Sequence, residues 1–332
     1  MPRRPVLPLT AAGLVLAGLV LTGLAGAPIP ASAADPGPRT PGAAITSGTF
    51  TVDVVVGGVT RSAVVHVPTQ VAARPGRVVP LVLHLHGGGG SPQNSIDTTG
   101  LVAAADANGF IVAFPQGTPI AVTLPNGTTG FVWNAGSCCA VAVRDDVDDV
   151  AFLDQLIRSL ERTLPVDTAR VVMSGHSNGA MMAWRFACER GGVLAAAMPV
   201  SGSLETADPN ACRPRGTSLL AVHGDADRNH PIEGGTGTRS VSGVDYKPFA
   251  DSVAAYARAS GCRAQPAVAT ATVTTTSKYR ACRRGATVTS VVLHGADHPW
   301  PGGAASGAAL QGTPFPDWSA TDALVQLVAT TR

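Results

Sequence analysis

The sequence predicts an α/β fold, with a mainly parallel central sheet and helices on both faces. Three observations predict it. Short apolar runs around Leu81, Ile111, Val171, Ala197, Leu220 and Val291 alternate with helical patterns around Ala103, Phe152, Met182, Val253 and Leu324. The stretch Gly175-His176-Ser177-Asn178-Gly179 stands between a strand-like and a helix-like segment. Polar and titratable residues gather just past apolar runs, at 86–91, 223–227 and 294–298, where the loops of such a sheet carry its chemistry.

In chain order, Met1 to Ala33 has a basic start at Arg3 and Arg4 and an uncharged apolar stretch from Val6. It closes on Ala31-Ser32-Ala33, a signal for cleavage before Ala34, so residues 1–33 are expected to be an export signal peptide. Residues 34–44, rich in proline and glycine, are expected to be a disordered lead-in. From 45 to 332 the chain reads as one catalytic domain, with no long linker or repeat. Phe50 to Val56 and Val59 to Val67 form a hairpin turning at Gly57-Gly58.

Val78 to Leu85 is a third strand leading into His86-Gly87-Gly88-Gly89-Gly90-Ser91. No Gly-Lys-Ser/Thr follows, so a phosphate-cradling loop is disfavoured. The carboxylates of Arg144-Asp145-Asp146-Val147-Asp148-Asp149 precede a helix over Val150 to Leu164 and are read as caps and helix-dipole partners, not as a metal site.

Arg170 to Ser174 is a buried strand, and the helix begins after Ser177. Strand, Gly-x-Ser-x-Gly, helix is the context of a nucleophile elbow, in which a sharp turn lifts the serine hydroxyl above the sheet. Such a serine needs a histidine to take its proton and a carboxylate to orient that histidine. Both are available downstream. Ser218 to Val222 ends in His223-Gly224-Asp225-Ala226-Asp227, and Thr287 to Leu293 ends in His294-Gly295-Ala296-Asp297-His298. Asp227 is preferred as the acid, since Asp225 directly follows the glycine and suits a turn brace. His298 is preferred as the base. His294, at a strand end, is read as a buried structural histidine, and His176, His223 and His230 as packing or rim residues. The N–H groups of Asn178 and Gly88 are the candidate oxyanion donors.

These residues resemble the secreted short-chain polyhydroxyalkanoate (PHB) depolymerase and feruloyl esterase group of the α/β-hydrolases, from about Thr49 to the end. The resemblance rests on Leu85-His86-Gly87-Gly88, Trp133-Asn134-Ala135-Gly136 with Cys138-Cys139, and Val147-Asp148-Asp149-Val150-Ala151-Phe152. It continues through Ser177-Asn178-Gly179-Ala180-Met181-Met182, His223-Gly224 with Asp227, His298-Pro299-Trp300-Pro301-Gly302-Gly303 and Ser319-Ala320-Thr321-Asp322. Pro299 departs from the pattern. The resemblance implies a serine carboxylic-ester hydrolase with Ser177, Asp227 and His298 as triad and no cofactor. Its substrate would be a feruloylated saccharide or, alternatively, a hydroxyalkanoate oligomer. A catalytically dead binding protein is the remote alternative.

Aromatic residues make up 5% of the chain, and Trp133 and Trp300 lie in loops beside the catalytic segments. Both are expected to bind substrate, a flat acyl group stacking on them. The Tyr246-Lys247-Pro248-Phe249 segment is expected to reach the pocket. Six cysteines in an exported chain suggest three disulfides, with Cys188–Cys212 and Cys262–Cys282 as the preferred set. Cys138 and Cys139 are left over, and two alternatives stay open for them: a vicinal bridge at the rim of the site, or pairing elsewhere with the other assignments failing. The net charge of +2 and the absence of a Lys/Arg stripe along the sequence argue against a nucleic-acid partner. After signal cleavage no membrane contact is expected, and the enzyme is read as an extracellular monomer.

Overall fold

The computed structural model describes residues 45–331 except 124–128, 207 and 306–311. The expected signal peptide and lead-in, 1–33 and 34–44, lie outside the described residues. Its strands are β1 (Gly48–Val56), β2 (Val59–Val67), β3 (Val79–Leu85), β4 (Ile111–Pro115), β5 (Thr118–Thr123), β6 (Thr129–Val132), β7 (Val166–His176), β8 (Ala196–Val200), β9 (Ser218–Gly224), β10 (Ala267–Thr270), β11 (Thr274–Tyr279) and β12 (Val288–Leu293). The α-helices are α1 (Thr69–Ala72), α2 (Pro92–Thr99), α3 (Leu101–Asn108), α4 (Ala140–Arg144), α5 (Asp149–Thr163), α6 (Asn178–Glu189), α7 (Phe249–Ala259) and α8 (Ala320–Thr330).

Ten strands form one sheet in the order β1-β2-β4-β3-β7-β8-β9-β12-β11-β10, while β5 and β6 pair separately. The six central strands, β4 to β12 in that order, run parallel. Antiparallel hairpins close both edges, β1–β2 on one side and β10–β11 on the other. The second hairpin was not foreseen, because β10 is four exposed residues and β11 is polar and threonine-rich, so neither shows a buried apolar face.

Parallel strands covered on both faces are continuously apolar, and β3 is buried at every position. Its side chains alternate. Leu81, Leu83 and Leu85 enter one core with Phe152 and Leu156 of α5, Met182 and Phe186 of α6 and Tyr256 of α7. Val82 enters the other with Leu101 and Ala105 of α3 and Leu324 and Val328 of α8. Period-two burial therefore requires helices on both faces, and they are there. This is the α/β-hydrolase fold, and Ser177 immediately follows β7, near the middle of the sheet.

Three disulfides tie the described residues: Cys188–Cys212, Cys262–Cys282 and the vicinal Cys138–Cys139. Among the described residues no helix is long and apolar enough to cross a membrane.

Candidate active site

The turn between β7 and α6 is tight. Ser177 has φ 56° and ψ −121°, a left-handed conformation that a non-glycine residue adopts only where its surroundings impose it. Those surroundings are backbone: the Ser177 N–H donates to Val200 O at 3.0 Å, and its carbonyl accepts from Met181 N–H at 3.0 Å. A Cβ on Gly175 would strike the Gly179 carbonyl, and one on Gly179 the Leu85 carbonyl. The two glycines of the motif are thus required by close approach.

Ser177 Oγ donates to His298 Nε2 at 2.9 Å, and His298 Nδ1–H donates to Asp227 Oδ2 at 2.8 Å. An ionised carboxylate only accepts, which fixes this tautomer. Asp227 Oδ1 accepts from the N–H groups of Asn229 (2.9 Å) and His230 (2.8 Å), so the carboxylate is held from both oxygens. Burial alone would raise its pKa. The charge and hydrogen bond of His298, with His223 and the His230 N–H, outweigh that and hold the carboxyl well below the usual carboxylate range. Asp225 instead braces its turn, accepting from Gly295 N–H at 2.7 Å and pairing with His294 Nδ1 at 3.0 Å. His294 is partly exposed, not buried as expected, because its partner Asp225 lies at the surface.

His176 is not placed as a base toward Ser177. Its Nε2–H donates to the His298 carbonyl at 2.8 Å, and burial, with His298 beside it, lowers its pKa to about 4. It holds the loop that carries His298. His86 fixes the glycine turn. Its Nδ1–H donates to Gly87 O at 2.8 Å while Nε2 accepts from Gly117 N–H at 3.1 Å, and burial lowers its pKa to about 4.

That turn is ordered against the elbow. A Cβ on Gly87 would lie 3.3 Å from Ser177 Cβ, and one on Gly88 3.5 Å from Asn178 Cβ. Gly89 and Gly90 N–H groups are occupied by Phe131 O (2.9 Å) and Gly87 O (3.0 Å), whereas the Gly88 N–H has no acceptor among the described residues. The Asn178 N–H, at the first position of α6, has no intrahelical acceptor either.

The two tryptophans are elsewhere than expected. Trp133 is fully buried, stacks on Phe152 and donates its Nε1–H to His86 O at 2.9 Å. Trp300 is buried edge-on against His84 and donates to Thr321 Oγ1 at 3.0 Å. Neither ring offers a face to a substrate, because each indole is spent on the core and on its own N–H partner. Tyr246 and Phe249 are likewise packed behind the acid loop, on His230 and His223. Within reach of the glycine turn, the half-exposed aromatic side chain is Phe131, whose backbone pairs with Gly90.

Several supporting residues escaped the sequence reading. The Asn178 side chain clamps Trp133, accepting from its N–H at 2.8 Å and donating to its carbonyl at 3.1 Å, which brings Cys138 against the elbow. Asp148 caps α5 as expected, accepting from Ala151 N–H. Asp149 does not remain at the helix surface. It is fully buried and binds Arg61 at 2.8 Å and Asn134 N–H at 2.7 Å. Behind Asp227, His230 Nε2–H donates to Ser203 Oγ at 2.7 Å, and Ser203 donates to buried Glu205 at 2.6 Å. Glu205 also accepts from Ser137 Oγ at 2.6 Å, joining the acid loop to the rim. No local pattern in the sequence hinted at this, since Ser203 stands 27 residues from His230.

Among the described residues no three or more His, Cys, Asp or Glu side chains gather as metal ligands. Residues 68–241 match the phospholipase/carboxylesterase family. A protein of Nocardia uniformis subsp. tsuyamanensis named as an esterase, NocK, is 34% identical over 76% of this chain and 74% of its own length. Feruloyl esterase C of Emericella nidulans is 29% identical over 47% of this chain, which spans about half of that relative (51%). The bifunctional acetylxylan esterase/xylanase XynS20E of Neocallimastix patriciarum is 28% identical over 51% of this chain and 22% of its own. Among solved structures, an acetyl xylan esterase from Aspergillus awamori shares the fold, with a TM-score of 0.52 at 14% identity over 75% of this chain and 94% of its own.

Proposed function

Because this chain belongs to the phospholipase/carboxylesterase family and is a carboxylic ester hydrolase, we propose that it works as a secreted serine esterase on aryl esters of plant polysaccharide, in the manner of a feruloyl esterase. The observation that carries the mechanism is the unbroken line of hydrogen bonds from Ser177 through His298 to Asp227. Ser177 Oγ attacks the ester carbonyl as His298 Nε2 takes its proton. The N–H groups of Gly88 and Asn178 receive the oxyanion, a pair of donors of which each is worth about 2.7–4 kcal/mol in such sites. The C–O bond then breaks, and the alcohol leaves with the proton from His298. Water repeats the sequence in reverse, releasing the acid and restoring Ser177.

The feruloyl reading draws on the likeness to feruloyl esterase C. A second reading, deacetylation of xylan, draws on the likeness to the bifunctional acetylxylan esterase/xylanase. Secretion draws on the A-x-A signal and on the three disulfides, which persist in oxidising compartments. The test is turnover of methyl ferulate, acetylated xylan, a hydroxybutyrate oligomer and p-nitrophenyl acetate side by side. Highest kcat/KM on methyl ferulate supports the proposal. Preference for acetylated xylan installs the second reading, and preference for the oligomer or fast acetate turnover alone overturns both.

A further inference from the structure

Residues 252–296 contain no aspartate or glutamate but five arginines. The fold gathers these into one place. The Cys262–Cys282 disulfide and the Arg263 N–H bond to Arg280 O (2.9 Å) tie the end of α7 to the segment between β11 and β12. Gly261 N–H bonds Arg258 O, Arg283 N–H bonds Ser260 O, and the Arg283 side chain lies across Gly261. Arg284 lies over Gly216, beside Arg215. Arg215, Arg258, Arg263, Arg280, Arg283 and Arg284 are all exposed, and among the described residues none forms an ion pair. The absence of a basic stripe along the sequence therefore does not hold in three dimensions. A chain of net charge +2 concentrates six unpaired guanidinium groups at one end.

That end is where β9 and β12 begin. The parallel strands carry Ser177 and its partners at their other ends, so this patch is remote from the catalytic turn. We infer that it is a docking surface for an acidic polysaccharide, one bearing uronic-acid carboxylates, which holds the enzyme on its matrix while the active site faces away. The choice of partner rests on the extracellular, polysaccharide-directed reading above; the patch itself does not. Guanidinium forks match carboxylates in two-point contacts, and several on one face bind a repeating anion with avidity. Single-stranded nucleic acid would call for exposed stacking rings. Of the tyrosines at this end, Tyr256 is fully buried with its hydroxyl on the Thr217 carbonyl, and Tyr279 is packed against the core. A membrane surface would call for a broad apolar face, and Val268 is the large apolar side chain exposed on the neighbouring hairpin.

The test uses the Ser177→Ala protein, so that hydrolysis plays no part, and unesterified polygalacturonate as probe. Retardation in a polygalacturonate gel is expected at low salt and should be lost at about 0.3 M NaCl, where the screening length is shorter than the patch. Neutral arabinoxylan should not retard it. R280S/R283S/R284S and, independently, R263E/R280E should each weaken retention at least about tenfold. The same substitutions in the active enzyme should leave p-nitrophenyl acetate turnover unchanged. Absence of retention, retention equal in the folded variants, or tighter binding to duplex DNA or phosphatidylglycerol vesicles would each overturn the inference. None of these results bears on the esterase assays.

Discussion

Arg228, next to Asp227, reaches across to Asp297, next to His298. Its backbone N–H and its guanidinium both bind the Asp297 carboxylate, which also accepts from the His298 N–H at 3.0 Å. Arg239 approaches the same carboxylate at 3.4 Å. The loops bearing the proposed acid and base, which follow β9 and β12, are thereby fastened to each other directly outside the triad. His176 fastens the second loop from below through the His298 carbonyl.

Removing the staple should therefore touch rate more than stability. The Arg228 side chain is half exposed, and exposed pairs contribute about 0–1 kcal/mol. Arg228→Ala should lower unfolding free energy by under about 1 kcal/mol. It should reduce kcat on p-nitrophenyl acetate about tenfold, a barrier change of about 1.4 kcal/mol, with little change in KM. Urea melts and steady-state kinetics on one preparation check both. An unchanged kcat would assign the pair to the surface alone.

Asp227→Asn keeps the size of the acid but alters its hydrogen-bonding character. An amide that donates toward Nδ1 imposes the wrong histidine tautomer, which costs about 10⁴-fold in kcat in such triads. The Asn229 and His230 N–H bonds to Oδ1 survive in an asparagine, so the fold should persist. A loss of under about tenfold would remove Asp227 from the proposed role.

Stability should fall on mild acidification. Burial lowers the pKa of His84 to about 3 and of His86 and His176 to about 4, each also feeling neighbouring charges. In the unfolded chain the same rings titrate near 6.5. Between those limits the unfolded state binds more protons, so the stability these neutral rings contribute is complete above about pH 6.5 and is lost as pH falls toward 4. Each contributes up to about 1.4 kcal/mol per pH unit inside the window. The depressed Asp227 carboxyl acts in the same direction only below about pH 4. Chemical denaturation at pH 7, 5.5 and 4.5 should show the decline; a flat profile would mean that these histidines are not buried and neutral.

Trp133→Ala should behave as a core deletion. The indole is buried on Phe152 and bonded to the His86 carbonyl, and loss of such a side chain costs about 3–5 kcal/mol. Phe131→Ala, by contrast, should leave the melting temperature nearly unchanged and raise KM for methyl ferulate more than for p-nitrophenyl acetate. If Trp133→Ala melts like the parent and raises KM selectively, the buried assignment is wrong.

Distance along the chain separates the features legible in the sequence from those that are not. Alternating apolar strands and helices, and a serine between two glycines at a strand–helix turn, are local patterns, and they sufficed for the fold and for the residues that meet around Ser177. What escaped depends on contacts between distant segments. Nothing near Asp149 reveals that Arg61 will bury it, and nothing near Glu205 announces Ser137. A tryptophan in a loop reads as available until the strand beneath it is placed. The arginine patch likewise exists only after α7, the β11–β12 segment and the start of β9 converge.

Ser177 is the proposed nucleophile. The most direct measurement is covalent labelling by a fluorophosphonate, read by intact mass and peptide mapping. One adduct per chain is expected, on the peptide containing Ser177, absent in Ser177→Ala and slowed strongly in His298→Ala. An unlabelled parent protein, or an adduct that persists in Ser177→Ala, would contradict that role.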